Sequence, residues 1–390
     1  MNASTLLMSK TILYSLAFVA LGLISGSIGP TLPALAAQTN VEMKQISNLF
    51  VARAAGTMVG SWLIGRMYDR VTGHPLLAIS LLVSAVAMAL FPVSGFLWLL
   101  LLLSVFIGLA SASINVGGNA MIVMVHGNNV RPFMSTLHFA FGVGGFIAPM
   151  FVAMFAEHPQ GLRWSYWTLA LLGVLPGFMA MLSTSPKPRA EHHEEIAAAV
   201  PRTLVGLLVL YFFLEVGAEA SVMGWVFSYT VNQGISTHQA YKINSAFWAA
   251  FTFGRLATIW LSTRFAALPL ILFFIVLAIL FAAALLLLPS SPALVWTCVI
   301  GFGISIGPVF PSTFGFAQSK LHLSGKVTGF FLVGSSAGGM FWPRLIGQFF
   351  ESQGAQIMAW TVVGTLLSAL TLILWIASPS HREELPEQAH

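Results

Sequence analysis

The chain has 390 residues, of which 57% are hydrophobic and only 7% are Asp, Glu, Lys or Arg. A soluble domain carries about 25% charged residues, so the composition excludes a soluble protein and indicates an integral membrane protein. The net charge of +5 does not indicate nucleic acid, because the basic residues are scattered singly, and the single cysteine, Cys298, excludes an intramolecular disulfide and a cysteine-based metal cluster.

Hydropathy predicts an all-α protein with twelve membrane-spanning helices, since a span needs about 20 mainly apolar residues. The N-terminal apolar run has no small-residue cleavage site, so we expect it to be the first span and not a removed signal peptide. The predicted spans lie near residues 11–36, 45–65, 75–93, 96–123, 133–156, 164–184, 203–231, 239–262, 267–288, 292–318, 325–349 and 355–377.

One long polar stretch, STSPKPRAEHHEEIAAAVPR at residues 183–202, separates the sixth span from the seventh. It predicts a linker at 185–202 between two six-helix halves, 1–184 and 203–390. His192 and His193 could bind a metal, but a solvated linker is the favoured interpretation, and we expect no metal or cofactor.

Basic residues predict the orientation of the chain in the membrane. If both termini are cytoplasmic, Lys44, Arg163 and Lys242 are the only loop cations on the outer face. The positive-inside rule then predicts cytoplasmic termini in a plasma (inner) membrane. The remaining loop cations fall inside: Lys10, Arg66, Arg70, Arg131, Lys187, Arg189, Arg202, Arg264, Lys320, Lys326 and Arg382.

The loop between spans 2 and 3 reads GRMYDRVTGHPLL at 65–77. It resembles the loop signature of major facilitator transporters, Gly-x-x-x-Asp-Arg followed by a glycine and basic residues. Gly65, Asp69 and Arg70 match, whereas the next glycine comes one residue late and His74 replaces a basic residue. Asp69 is the only aspartate in the chain. The alternatives are a gating loop that latches one conformation and an ordinary charged turn.

Longer segments resemble the branch with fucose permease-like and sodium-dependent glucose transporters. They are NAMIVMVHGNNVRPFMSTLHFAFGVGGFIAPM at 119–150, GAEASVMGW at 217–225, GPVFPSTFGFA at 307–317 and GKVTGFFLVGSSAGGMFWP at 325–343. The resemblance implies a monomeric secondary transporter in the lipid bilayer that takes up a small neutral polyhydroxyl solute, a monosaccharide, with H⁺ or Na⁺. It also implies that spans 1, 4, 7 and 10 line a central cavity.

Two glutamates, Glu215 and Glu219, lie one turn apart in the middle of span 7. A carboxylate at the bilayer centre costs about 2.5–3.5 kcal/mol on insertion scales, so such residues indicate function. We expect them to exchange a proton or bind a sodium ion, or alternatively to form an ion pair with Arg53 or Arg344. His138 on span 5 is a candidate proton relay, with a structural or gating hydrogen bond as the alternative.

Span 8 carries Asn244, Trp248, Phe251 and Arg255 at helical spacing on one face. Amide groups suit sugar hydroxyls and an aromatic ring suits a sugar's C–H face, although such stripes also occur in packing. We therefore predict substrate contacts from Asn244 and Trp248 on span 8, from Trp225 on span 7, and from Asn115 and Asn119 on span 4. For Trp225 the alternative is an interfacial tryptophan, and for the asparagine pair an interhelical hydrogen bond.

Two further patterns bear on mechanism. Pro30 and Pro33 are expected to interrupt span 1, and Pro308 and Pro311 to interrupt span 10. Paired interruptions of this kind in corresponding helices indicate a transport site. Glycines are expected to allow close helix approach: Gly142, Gly144, Gly145, Gly334, Gly338 and Gly339.

Two other functions are open to such a chain. The first is proton-coupled export of a drug or metabolite, which GVGGFIAPMF on span 5 disfavours because it lacks the exporters' Gly-Pro-x-x-Gly-Gly signature. The second is a membrane enzyme, for which the chain carries no catalytic motif.

Overall fold

The computed structural model describes residues 3–68, 71–186, 201–288, 291–321 and 325–378. Within these ranges the chain is helical and has no strand. Asp69 and Arg70 of the predicted gating loop lie outside the described residues, as does most of the predicted linker. Gly65 lies within a described helix.

Fourteen α-helices form in the described parts of the chain. They are α1 (Ala3–Thr39), α2 (Met43–Ile46), α3 (Asn48–Tyr68), α4 (Gly73–Leu90), α5 (Leu97–His126), α6 (Arg131–Phe155), α7 (Gly161–Leu182), α8 (Arg202–Asn232), α9 (Thr237–Leu261), α10 (Ala267–Leu287), α11 (Pro292–Ile306), α12 (Val309–Lys320), α13 (Gly325–Gln353) and α14 (Gln356–Ala377). Each predicted span is a helix, except that α11 and α12 together make the tenth. The short α2 is an addition between spans 1 and 2.

Nine of the spans in the described residues are long and apolar enough to cross a membrane by length and composition. The other three, α3, α9 and α13, are spans 2, 8 and 11. Each of these carries an arginine within the helix: Arg53, Arg255 and Arg344 respectively. Their lower hydropathy is expected of helices that turn one polar face away from lipid.

The helices pack in the same pattern twice. In the first six spans α1 packs on α6, α3 on α5 and α4 on α7; in the last six α8 packs on α13, α9 on α11 and α10 on α14. The two groups meet where α6 contacts α9, α3 contacts α13 and α1 contacts α8. This repeated arrangement is typical of two halves related by an axis along the membrane normal. The boundaries of those halves stay a prediction.

The expected pair of proline interruptions is found in only one helix. α1 continues through Pro30 and Pro33, so the prediction that span 1 is interrupted was wrong. Membrane helices tolerate proline because neighbouring hydroxyls and helices satisfy nearby carbonyls. The two prolines lack N–H groups, so the carbonyls of Gly26 and Gly29 lose their helical donors while the helix continues. Span 10 does break, with α11 ending at Ile306 and α12 beginning at Val309.

At one end of the bundle α13 is joined by hydrogen bonds to α2 and to Asn48, the first residue of α3. The side chains involved, Arg344, Gln348 and Glu351, lie on one face of α13. Arg344 Nε donates to Asn48 Oδ1 at 2.8 Å, and Gln348 Nε2 donates to the Lys44 carbonyl at 3.1 Å. Glu351 Oε1 accepts from the Met43 N–H at 2.9 Å. We call these three contacts the α2–α13 clamp, and this end of the bundle the α2 end.

Candidate functional site

A cavity of about 320 Å³ lies where the two groups of helices meet. It is lined by α1, α3 and α6 from the first group and by α8, α9 and α13 from the second. Among the described residues none of its lining comes from α5, α11 or α12, so a lining by spans 4 and 10 stays a prediction. Helices α3, α6, α9 and α13 contribute because they meet across the boundary between the groups. The polar lining residues are Ser25, Arg53, Thr57, Glu219, Arg255, Ser335 and Ser336.

Glu219 lies in the wall of this cavity and forms an ion pair with Arg255. The distance from Arg255 Nη2 to Glu219 Oε1 is 3.4 Å, and the guanidinium carbon lies 4.3 Å from the centre of the Phe251 ring. Arg255 therefore belongs to the stripe on α9 but faces a carboxylate on α8. The alternative partners were wrong for Glu219: Arg53 Nη2 donates to Ser25 Oγ at 2.7 Å, and Arg344 belongs to the clamp.

Glu215 lies one turn before Glu219 and is fully buried. Neither of its carboxylate oxygens has a hydrogen-bond partner among the described residues. A buried charge without a partner is costly, and binding a proton or a cation removes that cost. The pair of glutamates thus combines one acid with a basic partner and one acid without.

Trp248 forms the aromatic part of the cavity wall. Its side chain is nearly fully buried, and its indole N–H has no partner in the described parts of the chain. One face of the ring lies against Gly145 on α6, so closely that a Cβ at that position would clash with it. Phe141, also on α6, packs edge-on with the two ring centres 5.6 Å apart. Helix α6 therefore positions the tryptophan, and Gly145 provides the space.

Two other predicted substrate residues lie outside the cavity lining. Trp225 is fully buried; its indole donates to the Pro343 carbonyl at 2.8 Å and its ring stacks on Phe350. Asn244 is also fully buried, one turn from Trp248, and neither end of its amide has a partner among the described residues. A substrate role for either residue stays a prediction, and the contacts of Trp225 are those of a packing residue.

The remaining candidates lie away from the cavity. Asn119 Nδ2 donates to Asn115 Oδ1 at 2.7 Å, so the two asparagines on α5 bind each other. His138 on α6 is exposed and packs edge-on against Phe18, with ring centres 6.0 Å apart. The roles of these three residues stay predictions.

Sequence reasoning missed the Arg53–Ser25 contact and the hydroxyls of Ser335 and Ser336, and it named Gly145 without predicting that Trp248 packs against it. A Ser-Ser pair inside a glycine-rich span was the available signal for the hydroxyls. Of the glycines expected at close contacts, Gly142, Gly144, Gly145, Gly334 and Gly338 leave no room for a Cβ, whereas at Gly339 a Cβ would lie 3.7 Å from Ala220 Cβ, an ordinary contact.

Residues 14–343 match the sequence profile of the Major Facilitator Superfamily. The chain belongs to the major facilitator superfamily. It is 28% identical over 370 residues to sodium-dependent glucose transporter 1A of Mus musculus, covering 85% of this chain and 87% of that protein. It is likewise 28% identical over 369 residues to sodium-dependent glucose transporter 1 of Homo sapiens, covering 85% of this chain and 71% of the human protein.

Solved structures share the fold. The crystal structure of a point mutant of the nucleoside transporter NupG superposes with a TM-score of 0.79 at 13% identity, covering 96% of this chain and all of that one (100%). The xylose transporter XylE from E. coli, in a partially occluded inward-open conformation, gives 0.78 at 10% identity, with 96% and 98% covered. This superfamily member is therefore a multi-pass membrane transporter of a small molecule.

Proposed function

We propose that the protein takes up a small neutral polyhydroxyl solute, a monosaccharide, by alternating access, and that uptake is coupled to H⁺ or Na⁺. The observation that carries the proposal is the central cavity, which places the indole of Trp248 beside hydroxyl and charged groups from both groups of helices. Its volume of about 320 Å³ is near the lower end of the range for ligand pockets, about 300–1,000 Å³.

The lining of the cavity suits the two kinds of surface that a sugar presents. Phe141 and Trp248 give the wall aromatic rings suited to C–H groups, and the buried Trp248 N–H, which has no partner among the described residues, would gain one from a solute hydroxyl that reached it. Ser25 and Ser336 offer hydroxyls from opposite sides of the cavity. A site built to hydrogen-bond hydroxyls discriminates strongly against solutes that lack them. The names of the relatives from mouse and human support glucose as the first solute to test.

Coupling is assigned to the two glutamates. Glu219 exchanges its partner between Arg255 and the coupling ion, and Glu215 holds a proton or helps bind the ion when the cavity closes. Neutralising these carboxylates lowers the cost of moving the site through a closed state. The word sodium in the relatives' names supports Na⁺, whereas a carboxylate with no basic partner suits either ion.

The direction of transport follows from the orientation proposed for the chain. The positive-inside rule places both termini in the cytoplasm of the cell and the α2 end outside, in the plasma membrane. Since the α2–α13 clamp joins helices at the outer end, solute in the central cavity would be released inward. We propose that the transporter works as a monomer, because both groups of helices that line the cavity come from one chain.

The test is uptake of radiolabelled solutes by proteoliposomes that contain the purified protein. The panel holds D-glucose, L-glucose, D-xylose, L-fucose and uridine, each with a Na⁺ gradient, a proton gradient or neither. We expect one D-monosaccharide to accumulate above its equilibrium level with only one of the ion gradients. Accumulation of uridine alone, or extrusion of an amphiphilic dye on a proton gradient without sugar uptake, would contradict the proposal.

A further inference from the structure

A second cavity, of about 650 Å³, lies between α9, α12 and the first turns of α10. The break at Gly307–Pro308 explains it. Before the break α11 packs along α9, whereas beyond it α12 contacts α9 at only a few positions. The two helices diverge and leave a space toward the end of the bundle opposite the α2 end. We call this space the α9–α12 wedge; its lining falls within 255–262, 265–270 and 311–319.

Hydroxyl groups line both long walls of the wedge. Thr258 near the end of α9 and Ser262 directly after it lie one turn apart, and Ser312 and Ser319 lie two turns apart on α12. The aromatic ring of Phe316 lies among them on α12. Hydroxyls on two facing helices with an aromatic ring between them repeat the chemistry of the central cavity.

Ser312 gives the wedge a buried hydroxyl that makes no hydrogen bond with the described residues of the protein. Its side chain is only 5% exposed, and its Oγ has no hydrogen-bond partner among the described residues. An unsatisfied buried hydroxyl costs about 1–3 kcal/mol. Thr258 and Ser262 donate to the carbonyls of Gly254 and Ile259, but each hydroxyl oxygen can still accept. A bound molecule with several O–H groups would satisfy all three.

The wedge adjoins the central cavity at Arg255. This residue lines both spaces, and its guanidinium holds Glu219 on the central side. Arg255 therefore lies between the two spaces. No other residue belongs to the lining of both spaces within the described chain.

We propose that the α9–α12 wedge is a second binding subsite for the transported polyhydroxyl solute, occupied between the central cavity and the end opposite the α2 end. The inference rests on the proposed function, because it requires the solute to be a polyol. Solute hydroxyls donate to Thr258 and Ser262 and accept from Ser312, while a C–H face packs on Phe316. The competing occupant is a lipid acyl chain, which would leave Ser312 unsatisfied.

Protection of single cysteines from a hydrophilic maleimide tests the subsite. Cys298 is the chain's one cysteine and is buried, so Cys298→Ser gives a cysteine-free background. Ser262→Cys and Ser319→Cys place thiols in the wedge, and Thr263→Cys is the control, exposed next to Ser262 but outside the lining. At ten times the Kd, D-glucose should slow wedge labelling about tenfold by mass action and leave the control unchanged. L-glucose should protect less.

A plugging variant separates the wedge from the central cavity. A Cβ at Gly315 would meet only Ala267 Cβ, at 3.8 Å, so Gly315→Leu extends into the wedge; Gly364→Leu is the control, because a Cβ there meets nothing within 4 Å. Gly315→Leu should abolish protection at Ser262→Cys and slow solute release, while D-glucose still binds with unchanged affinity at the central cavity. Gly364→Leu should leave protection, release and binding as in the parent.

A second variant removes the unpaired hydroxyl of Ser312. It adds no bulk, so it tests the subsite even if Gly315→Leu fails to fold. Ser312→Ala should weaken protection several-fold, whereas Ser228→Ala, which removes another buried unpartnered hydroxyl, should not. Glucose binding at one central site with no protection in the wedge would overturn this inference and leave the proposed function standing. Protection by acyl detergents but not by sugars would overturn it likewise. Absence of any sugar binding by the parent would overturn both.

Discussion

Arg255 on α9 and Glu219 on α8 form an ion pair in the wall of the central cavity, at 3.4 Å. Both side chains keep some exposure, 25% and 10%, so solvent in the cavity reaches the pair. Glu219 is nevertheless a buried residue, and removing one partner of a buried ion pair costs about 3–5 kcal/mol because the other charge is left uncompensated. A coupling ion that neutralises Glu219 as Arg255 leaves would avoid that cost, which is what a coupling site requires.

Trp248→Phe should weaken sugar binding while it keeps an aromatic ring, although a smaller one, on the side of α9 that faces Gly145. The indole N–H that is lost has no partner in the described chain, so a single hydrogen bond to the solute, about 0.5–1.5 kcal/mol, should disappear. That corresponds to a Kd raised about two- to tenfold. Equilibrium binding in detergent measures it without an ion gradient.

The matched control is Trp225→Phe, which removes an indole that donates to the Pro343 carbonyl. That variant should lower the midpoint of thermal unfolding and leave the Kd for sugar unchanged. The reverse pattern, with Trp225→Phe weakening binding and Trp248→Phe leaving it intact, would restore Trp225 as a substrate residue.

Gly145→Ala should distort the cavity, because a Cβ there clashes with the Trp248 ring. The ring must move, since the opposing group is part of a rigid indole, and overpacking of this kind costs about 1–3 kcal/mol. We expect lower thermal stability together with at least a several-fold loss of binding. Gly339→Ala is the control, since its Cβ would lie at an ordinary 3.7 Å from Ala220 Cβ. Equal loss in both variants would mean that helix packing in general, and not the position of Trp248, sets the affinity.

The α2–α13 clamp should control how often the α2 end opens. Glu351→Ala removes the acceptor for the Met43 N–H, and Gln348→Ala removes the donor to the Lys44 carbonyl. Each loss, about 0.5–1.5 kcal/mol, should raise the open population about two- to tenfold. Ser47 is fully buried at this end, so maleimide labelling of Ser47→Cys in the Cys298→Ser background reports opening.

Glu157→Ala is the control for the clamp variants, because this exposed glutamate lies at the same end, beyond the end of α6. Adding Glu157→Ala should leave the rate of maleimide labelling of Ser47→Cys unchanged. A clamp variant with parental labelling would show that packing of the helices, and not the clamp, keeps this end closed.

The sequence predicted much of the fold because each span is a local property. A run of about 20 apolar residues and the polar break after it can be read directly from the sequence. The position of Glu215 and Glu219 in the middle of span 7 can be read in the same way. It did not predict that Arg255 would pair with Glu219, since the partners are 36 positions apart on different helices and three arginines were available. The α2–α13 clamp was likewise hidden, because its residues come from segments about 300 positions apart.

Some predictions failed for reasons of local chemistry. Span 1 carries Gly29–Pro30 and span 10 carries Gly307–Pro308, yet only the second pair coincides with the end of a helix, so the Gly-Pro pair alone does not predict a break. The stripe on span 8 was correct as a helical face, but that face divides between the cavity at Trp248 and Arg255 and the buried interior at Asn244. Periodicity gives the face of a helix, and neighbouring helices decide how far along it the cavity extends.

The central claim, that the glutamates couple solute movement to an ion, is tested most directly by comparing accumulation with exchange in proteoliposomes. In Glu219→Gln, gradient-driven accumulation of the transported sugar should fall to the equilibrium level, while exchange of labelled for unlabelled sugar continues. Glu215→Gln should have the same effect or a milder one. Concentrative uptake at parental levels by both single variants and by the double variant would contradict the claim.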